Sequence, residues 1–403
     1  MDRTALIEKA QTYLLHLCVQ IPTRKVGSQG NQQACTYFEQ VLAPFGYHLT
    51  RQEFACIDQN LGSATLTAGA ETFSVFPSPY SLGVKAQATL LAADTPEKLE
   101  TMQAQGKILL LHGELTKEQL LPKHFPFYNP EEHQRIYHLL EKQQPQAIVA
   151  ATSKNPQLAG AVYPFPLIED GDFDIPSVYM TDIEGACLLG FVGQTVTLHS
   201  QAQRIPSAGW NVLARKEGAR TDKIVILAHI DAKEGAPGAA DNAGGVVVLM
   251  LLAELLQAQA LPFSLEILAV NGEDYYDAPG QKRYLQDQQG KFQQMKLAIN
   301  LDGVGFVHGK TAYSLYGCPA EIEQTARAVF SQHPEFIEGE QWPQGDHSIF
   351  VMQGMPALAL TTECFVELES DYAHTEKDDI SIMNAGKLID SALALKELLL
   401  SMA

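Results

Sequence analysis

Seven residues in this chain are of types that could hold a metal ion and move protons, and they fall at the ends of strands, at a helix start or in a loop. His229 closes KIVILAH and Asp231 follows two positions later. Asp241 opens a helical pattern in GAADNAGG, and Glu273 and Asp274 stand side by side after FSLEILAVNG. Asp302 closes KLAINLD, and His374 lies in the loop YAHTEKDD ahead of the last helix. Imidazole nitrogen and carboxylate oxygen, with no cysteine among them, suit a zinc-type hydrolytic centre. Taken singly each residue has a plainer use. Asp302 reads as a turn or cap residue, Asp241 as a helix N-cap and His374 as a surface histidine. The adjacent carboxylates of Glu273 and Asp274 resist such a reading, because two like charges after an apolar strand repel and invite a cation. It is the coincidence of all of them at strand or loop ends that carries the metal reading.

The elements around these residues form a rhythm. After residue 207, strands (NVLARKEG, KIVILAHID, FSLEILAVNG, KLAINLDGVG, AYSLYG, PALALTT) alternate with helices expected near 242–258, 279–288, 321–332 and 384–402. That alternation predicts an α/β fold, a mostly parallel mixed sheet flanked by helices, with its chemistry collected where strands end. The first sixty residues read as helix, turn, helix and strand. Leu6, Ala10, Tyr13, Leu14 and Leu17 line one face of the first helix, and YHLTRQEF alternates as a strand. Between them, residues 61–204 have another texture of short β-like runs with one clear helix at 130–142, an inserted β-rich domain. The expected domains are therefore 1–60 and 205–403 for one unit and 61–204 for the insertion.

Length and charge narrow the function. The 403 residues carry a net charge of −19 and are 46% hydrophobic, enough for a sizeable core. Such an acidic excess argues against nucleic acid or an anionic membrane as partner, since both demand basic surface. The longest apolar stretch, 243–253, is too short to cross a bilayer. No basic segment followed by an apolar block marks an export signal, so a cytoplasmic location is expected. The six cysteines are scattered without a CxxC pair and are expected reduced and mostly buried.

The order H-x-D, GAADNAGG, an acidic pair closing a strand, INLDGVG and H-T before the last helix resembles the dinuclear zinc aminopeptidases. That family includes leucyl-type aminopeptidases, glutamate carboxypeptidase II and glutaminyl cyclases. The spacings are twelve residues from His229 to Asp241 and twenty-eight from Asp274 to Asp302. The resemblance covers about 260 residues, and it implies a zinc exopeptidase fold with two Zn2+ per chain. Asp241 would bridge the ions, His229 and Asp302 would complete one, and Asp274 and His374 the other. Glu273 would be the general base, and Asp231 would hydrogen-bond the ring of His229 and fix its tautomer. Three positions depart from the family pattern. Asp274 stands where glutamate is common, the run YYDAPGQKRYL replaces a glycine-rich one, and Ala373 stands where a tyrosine often precedes the last histidine, with Tyr372 one place back. The oxyanion donor is left unassigned.

The insertion resembles, by order of elements, the protease-associated domain, and could lid the active-site mouth or supply a dimer surface. Asp346-His347-Ser348 cannot form a triad, because contiguous residues do not converge; Asp346 reads as a helix cap or a neighbour of the metal site. His133 and His138, five apart on the insertion helix, read as solvated. The expected activity is removal of N-terminal residues from short peptides, with the peptide as the partner. Within the same family the rivals are a carboxypeptidase and a one-zinc glutaminyl cyclase, and outside it a catalytically silent binding protein.

Overall fold

A computed structural model describes residues 2–21, 23–155 and 159–403. It divides into two compact units, one of Met1–Cys56 with Ala208–Ala403 and the other of Ile57–Ser207. The borders lie inside long strands rather than at the expected 60/61 and 204/205. β1 (His48–Asn60) and β10 (Gln203–Lys216) run through them, so no turn chemistry marks the change.

In the second unit, β2 (Ala64–Ala68), β3 (Glu71–Phe73), β4 (Phe76–Pro77), β5 (Val84–Ala93), β6 (Ile108–Leu111), β7 (Ala147–Thr152), β8 (Ser177–Thr181) and β9 (Thr195–Ser200) make one sheet, ordered β3-β2-β9-β5-β6-β7-β8-β4. β5 to β8 pair in parallel and the flanking strands are antiparallel. The helix expected at 130–142 spans Glu131–Gln143. His133 on it is not solvated: it is buried, and its Nδ1 accepts a hydrogen bond from the Leu121 N–H at 3.1 Å. The helix turns this side toward Leu139 and Leu140's core, where an imidazole that finds a backbone donor is tolerated; His138 alone is exposed.

In the first unit, β11 (Lys223–His229), β12 (Ser264–Val270), β13 (Met295–Leu301), β14 (Thr311–Tyr316), β15 (Phe336–Glu338) and β16 (Ala357–Thr362) join β1 and β10 in the order β1-β10-β12-β11-β13-β16-β14-β15. The four central strands β12, β11, β13 and β16 are mutually parallel. Their sequences read as unbroken apolar runs because helices cover both faces of the sheet. The helix Gly244–Leu256 is buried almost all round, packed on the sheet and on the helices Arg3–Leu15 and Ala385–Ser401. With the turn before it, the stretch Ala239–Leu256 reaches a mean hydropathy of 1.6, enough in length and composition to cross a bilayer, yet 94% of it is buried inside the protein. It is the core of this unit.

Glycine decides how closely that helix approaches. A Cβ at Gly245 would lie 2.7 Å from the Leu301 carbonyl oxygen at the end of β13, so a larger residue would push the helix start off the strand. Of the six cysteines only Cys35 is buried, with Cys187 exposed and four half-buried. The expectation of mostly buried thiols is not met, although Cys18, Cys318 and Cys364 pack against core side chains with part of their surface exposed.

Candidate metal centre

The four parallel central strands end on one edge of the sheet, and each contributes to a single cluster there. His229 is the last residue of β11. Asp302 directly follows β13, its N–H donating to Leu360 of β16 at 3.0 Å. Glu273 and Asp274 lie in the loop after β12. His374 follows the short helix Phe365–Asp371 that leaves β16, and it adopts a left-handed φ of +63°. A non-glycine residue is held in that region only when its surroundings dictate it. Asp241 comes from the irregular turn Ala239–Ala243 ahead of the buried helix; Asn242 fixes this turn by donating to Leu301 O at 2.6 Å and accepting from the Gly245 N–H at 3.0 Å.

Asp241 is the centre of the cluster. Its Oδ1 lies 3.0 Å from His229 Nε2 and its Oδ2 lies 3.1 Å from His374 Nε2. Asp302 Oδ1 stands 3.7 Å from the same nitrogen of His229, and Asp274 Oδ1 2.9 Å from that of His374. The groups therefore sort into two sets, His229 with Asp302 and His374 with Asp274, sharing one carboxylate. His229 is buried, whereas the side chains of His374 and Asp302 are 29% and 21% exposed, so the cluster opens to solvent on one side.

The donor set fits divalent metal. Neither ring nitrogen of His229 has a hydrogen-bond partner despite the neighbouring Asp241 oxygen, and Asp274 Oδ2 is likewise buried and unpaired. Buried polar atoms are rarely left so. Two imidazoles and three carboxylates with spare lone pairs match the nitrogen–oxygen ligation of zinc.

The electrostatics show what crowding these groups costs. Burial works against charge on His229, but Asp302 and Asp241 hold its pKa well above the ordinary imidazole value. Burial likewise opposes charge on His374, and Asp274 and Asp241 raise it. Burial would raise Asp241, yet the two facing rings hold it far below the carboxylate range. Burial pushes Glu273 well up, reinforced by Asp274, Asp302 and Asp346 against a lowering from His229. Burial also raises Asp302, against the pull of His229 and with help from Asp241 and Asp274.

Asp231 does not do what the resemblance implied. Its Oδ1 is 3.7 Å from His229 Nδ1, too far for a hydrogen bond. The carboxylate instead accepts from the Gly272 N–H at 2.6 Å and the Asp274 N–H at 3.0 Å. It holds the loop carrying the acidic pair, and two charge-assisted backbone bonds satisfy it better than one long contact with a ring. Asp346 is no helix cap: it is fully buried, accepts from Gln281 Nε2 at 2.7 Å, and burial pushes it up to about 7 beside Asp302 and Asp231. Tyr372 packs edge-on against Phe306 at 5.5 Å.

Two acids near the centre escaped the sequence reading. Glu369, on the helix before His374, is pushed up to about 8 by burial and by Asp241, Asp302 and Asp274. Asp378, fully buried, lies four residues beyond His374. Both belong to a polar stretch, 363–379, that holds seven acids, and nothing in spacing separates them from solvated neighbours.

Residues 211–399, which carry all of these groups, match the sequence profile of Peptidase family M28. The profile covers just under half of the chain and the whole of the cluster. The profile and the relatives it brings with it support a metallopeptidase. Solved structures with the same fold include an aminopeptidase from Aneurinibacillus sp. strain AM-1, at 22% identity and a TM-score of 0.77 over 98% of this chain and 93% of that one. Another is BSAP, a zinc aminopeptidase from Bacillus subtilis, at 16% identity and a TM-score of 0.74 over 98% and 94%. A probable lipoprotein aminopeptidase, LpqL, from Mycobacterium tuberculosis is 25% identical over 240 residues, 57% of this chain. The match spans only 44% of that protein's length.

Proposed function

We propose that this protein is a zinc aminopeptidase of family M28 that removes N-terminal residues from short peptides with two ions per chain. One observation carries the reading: the two oxygens of Asp241 each face a different histidine, at 3.0 and 3.1 Å. His229, Asp302 and one oxygen of Asp241 would hold one ion, and His374, Asp274 and the other oxygen the second. When bound, such a pair supplies Lewis acidity toward the scissile carbonyl and a nucleophilic water at neutral pH. Glu273 takes a proton from the attacking water and returns it to the leaving amine nitrogen. Burial, with Asp274, Asp302 and Asp346, raises its pKa, which suits a carboxyl that must take up and return a proton. Asp231 keeps Glu273 and Asp274 in place through the backbone.

The surrounding charge favours an amino terminus over a carboxyl terminus. The charged groups that act most strongly on Glu273, Asp302 and Glu369 are carboxylates and the two ligand imidazoles, and Asp346 feels His229, Asp302 and Asp231 beside its hydrogen bond from Gln281. A free N-terminal ammonium suits such a site and a terminal carboxylate does not.

The test is elemental mass spectrometry after zinc reconstitution, followed by paired assays on free and N-acetylated peptides. Two zinc ions per chain, hydrolysis of the free peptide alone, and a loss of about 10²–10⁴ in kcat for Glu273→Gln are expected. One zinc per chain overturns the bridged site. Unchanged turnover in Glu273→Gln overturns the general base, and equal hydrolysis of acetylated peptide overturns the aminopeptidase.

A further inference from the structure

The turn that carries Asp241 is gripped from two sides by residues that touch no proposed ligand atom. Asp378 takes three consecutive backbone N–H groups. Its Oδ1 accepts from Ala240 at 2.7 Å, its Oδ2 from Asp241 at 3.1 Å, and its own carbonyl from Ala239 at 3.0 Å. Arg24 takes the carbonyls just upstream. Its Nη1 donates to Pro237 O at 2.6 Å, its Nη2 to Gly238 O at 2.7 Å and its Nε to Ile230 O at 3.0 Å, and Nη1 also reaches Leu17 O at 3.0 Å. Both side chains are buried. Apart from the Leu17 contact of Arg24, the hydrogen bonds of both side chains converge on this one turn and its approaches.

The two grips tie Asp241 to different histidines. Ile230 is the residue after His229, so Arg24 fixes the turn relative to the His229 segment. Asp378 is four residues after His374, so it fixes the same turn relative to the His374 segment. A bridging carboxylate has to satisfy two ligand sets at once, and a shift of a few tenths of an ångström toward one is a shift away from the other. Charged hydrogen bonds to backbone are short and stiff, and they lock the turn where side-chain packing alone would not. Asp231 shows the same device on the opposite side of the centre, clasping the N–H groups of Gly272 and Asp274.

We propose that Asp378 and Arg24 are positioning residues that set the bridging geometry separately for the two ions. Asp378 governs the ion held by His374 and Asp274, and Arg24 governs the ion held by His229 and Asp302. This rests on the two-ion reading above, and its test can fail without that reading failing.

The experiment is a stepwise zinc titration against a competing chelator, on the full chain, with circular dichroism to confirm the fold of each metal-free variant. Asp378→Asn is expected to leave one zinc affinity within about twofold and weaken the other by about 10–100-fold. In a double-mutant cycle, adding Asp378→Asn to His374→Ala costs nothing further, whereas adding it to His229→Ala weakens the remaining ion by the full factor. Arg24→Lys, which keeps the charge and loses the fork, shows the mirror pattern and decides the matter if Asp378→Asn does not fold. Equal weakening of both ions, or of neither, in variants that fold overturns the proposal while the two zinc ions of the wild type stand. A wild type that binds one ion overturns the underlying reading instead.

Discussion

His112 in the inserted unit and His229 in the catalytic unit occupy matching places, at the end of an apolar parallel strand, and their chemistry differs. His112 directly follows β6, and burial lowers its pKa, with Asp94 too weak to reverse the shift. Asp94 is itself engaged by Lys98 at 3.2 Å. His229 ends β11 facing Asp302 and Asp241, which raise its pKa in spite of deeper burial. Carboxylates in the inserted unit are used up locally: Asp170 accepts from the Lys123 and Asp172 N–H groups at 2.8 Å each. Those of the catalytic unit face one another. The same strand architecture serves a self-satisfied module in one case and a cluster that asks for a cation in the other.

Asp302→Asn tests this contrast most severely. Hydrolysis should fall by on the order of 10³ as one zinc set loses its carboxylate. The metal-free protein should melt higher by about 2–4 °C, because a charge the bare fold disfavours is gone. A lower melting temperature of the metal-free variant breaks the contrast.

The acid limb of stability comes next. His347 is buried between Tyr316 and Trp342, and burial lowers its pKa to about 4. A histidine held neutral by the fold contributes its full stabilisation above the unfolded value near 6.5 and loses it as pH falls toward 4. Up to about 3 kcal/mol is at stake. Denaturant midpoints of His347→Gln should therefore be flatter than the wild type's between pH 6.5 and 4, and parallel curves would exclude the residue as the cause.

Asp170→Ala should cost about 1–3 kcal/mol by leaving two N–H groups unpaired. Hydrogen exchange should show the loss within residues 57–207, with zinc stoichiometry unchanged. The mildest effect is spectroscopic. In NMR titrations His112 should titrate below the ordinary imidazole value with or without zinc, whereas His229 should stop titrating once zinc is added.

His229, the Glu273–Asp274 pair and Asp302 were legible as candidates because they close or follow runs such as KIVILAH or KLAINLD, and buried parallel strands announce themselves by unbroken apolarity. The family resemblance then supplied the pairing of ligands. Other features lacked any such signal. Asp231 sits at a readable place, but its partners are backbone N–H groups forty residues away, and sequence does not display backbone geometry. Arg24 lies in a polar loop where arginine is ordinarily solvent-exposed. Asp378 has Asp379 as its neighbour, and only the fold makes one buried and the other not. His133 was misread because its helix face depends on a donor, Leu121 N–H, supplied by a different loop.

Arg24 also ties folding order to topology. It bonds to Pro237 across a sequence separation of 213 residues, a span that contains the whole inserted unit. Once residues 57–207 have folded, about 62 flexible residues remain between the two ends, and the entropy of closing that loop drops by about 1 kcal/mol. The insert emerges from the ribosome before Pro237 does, so its early folding shortens the search by which the N-terminal segment finds the turn of Asp241. A long insertion thus becomes, in kinetic terms, a short one.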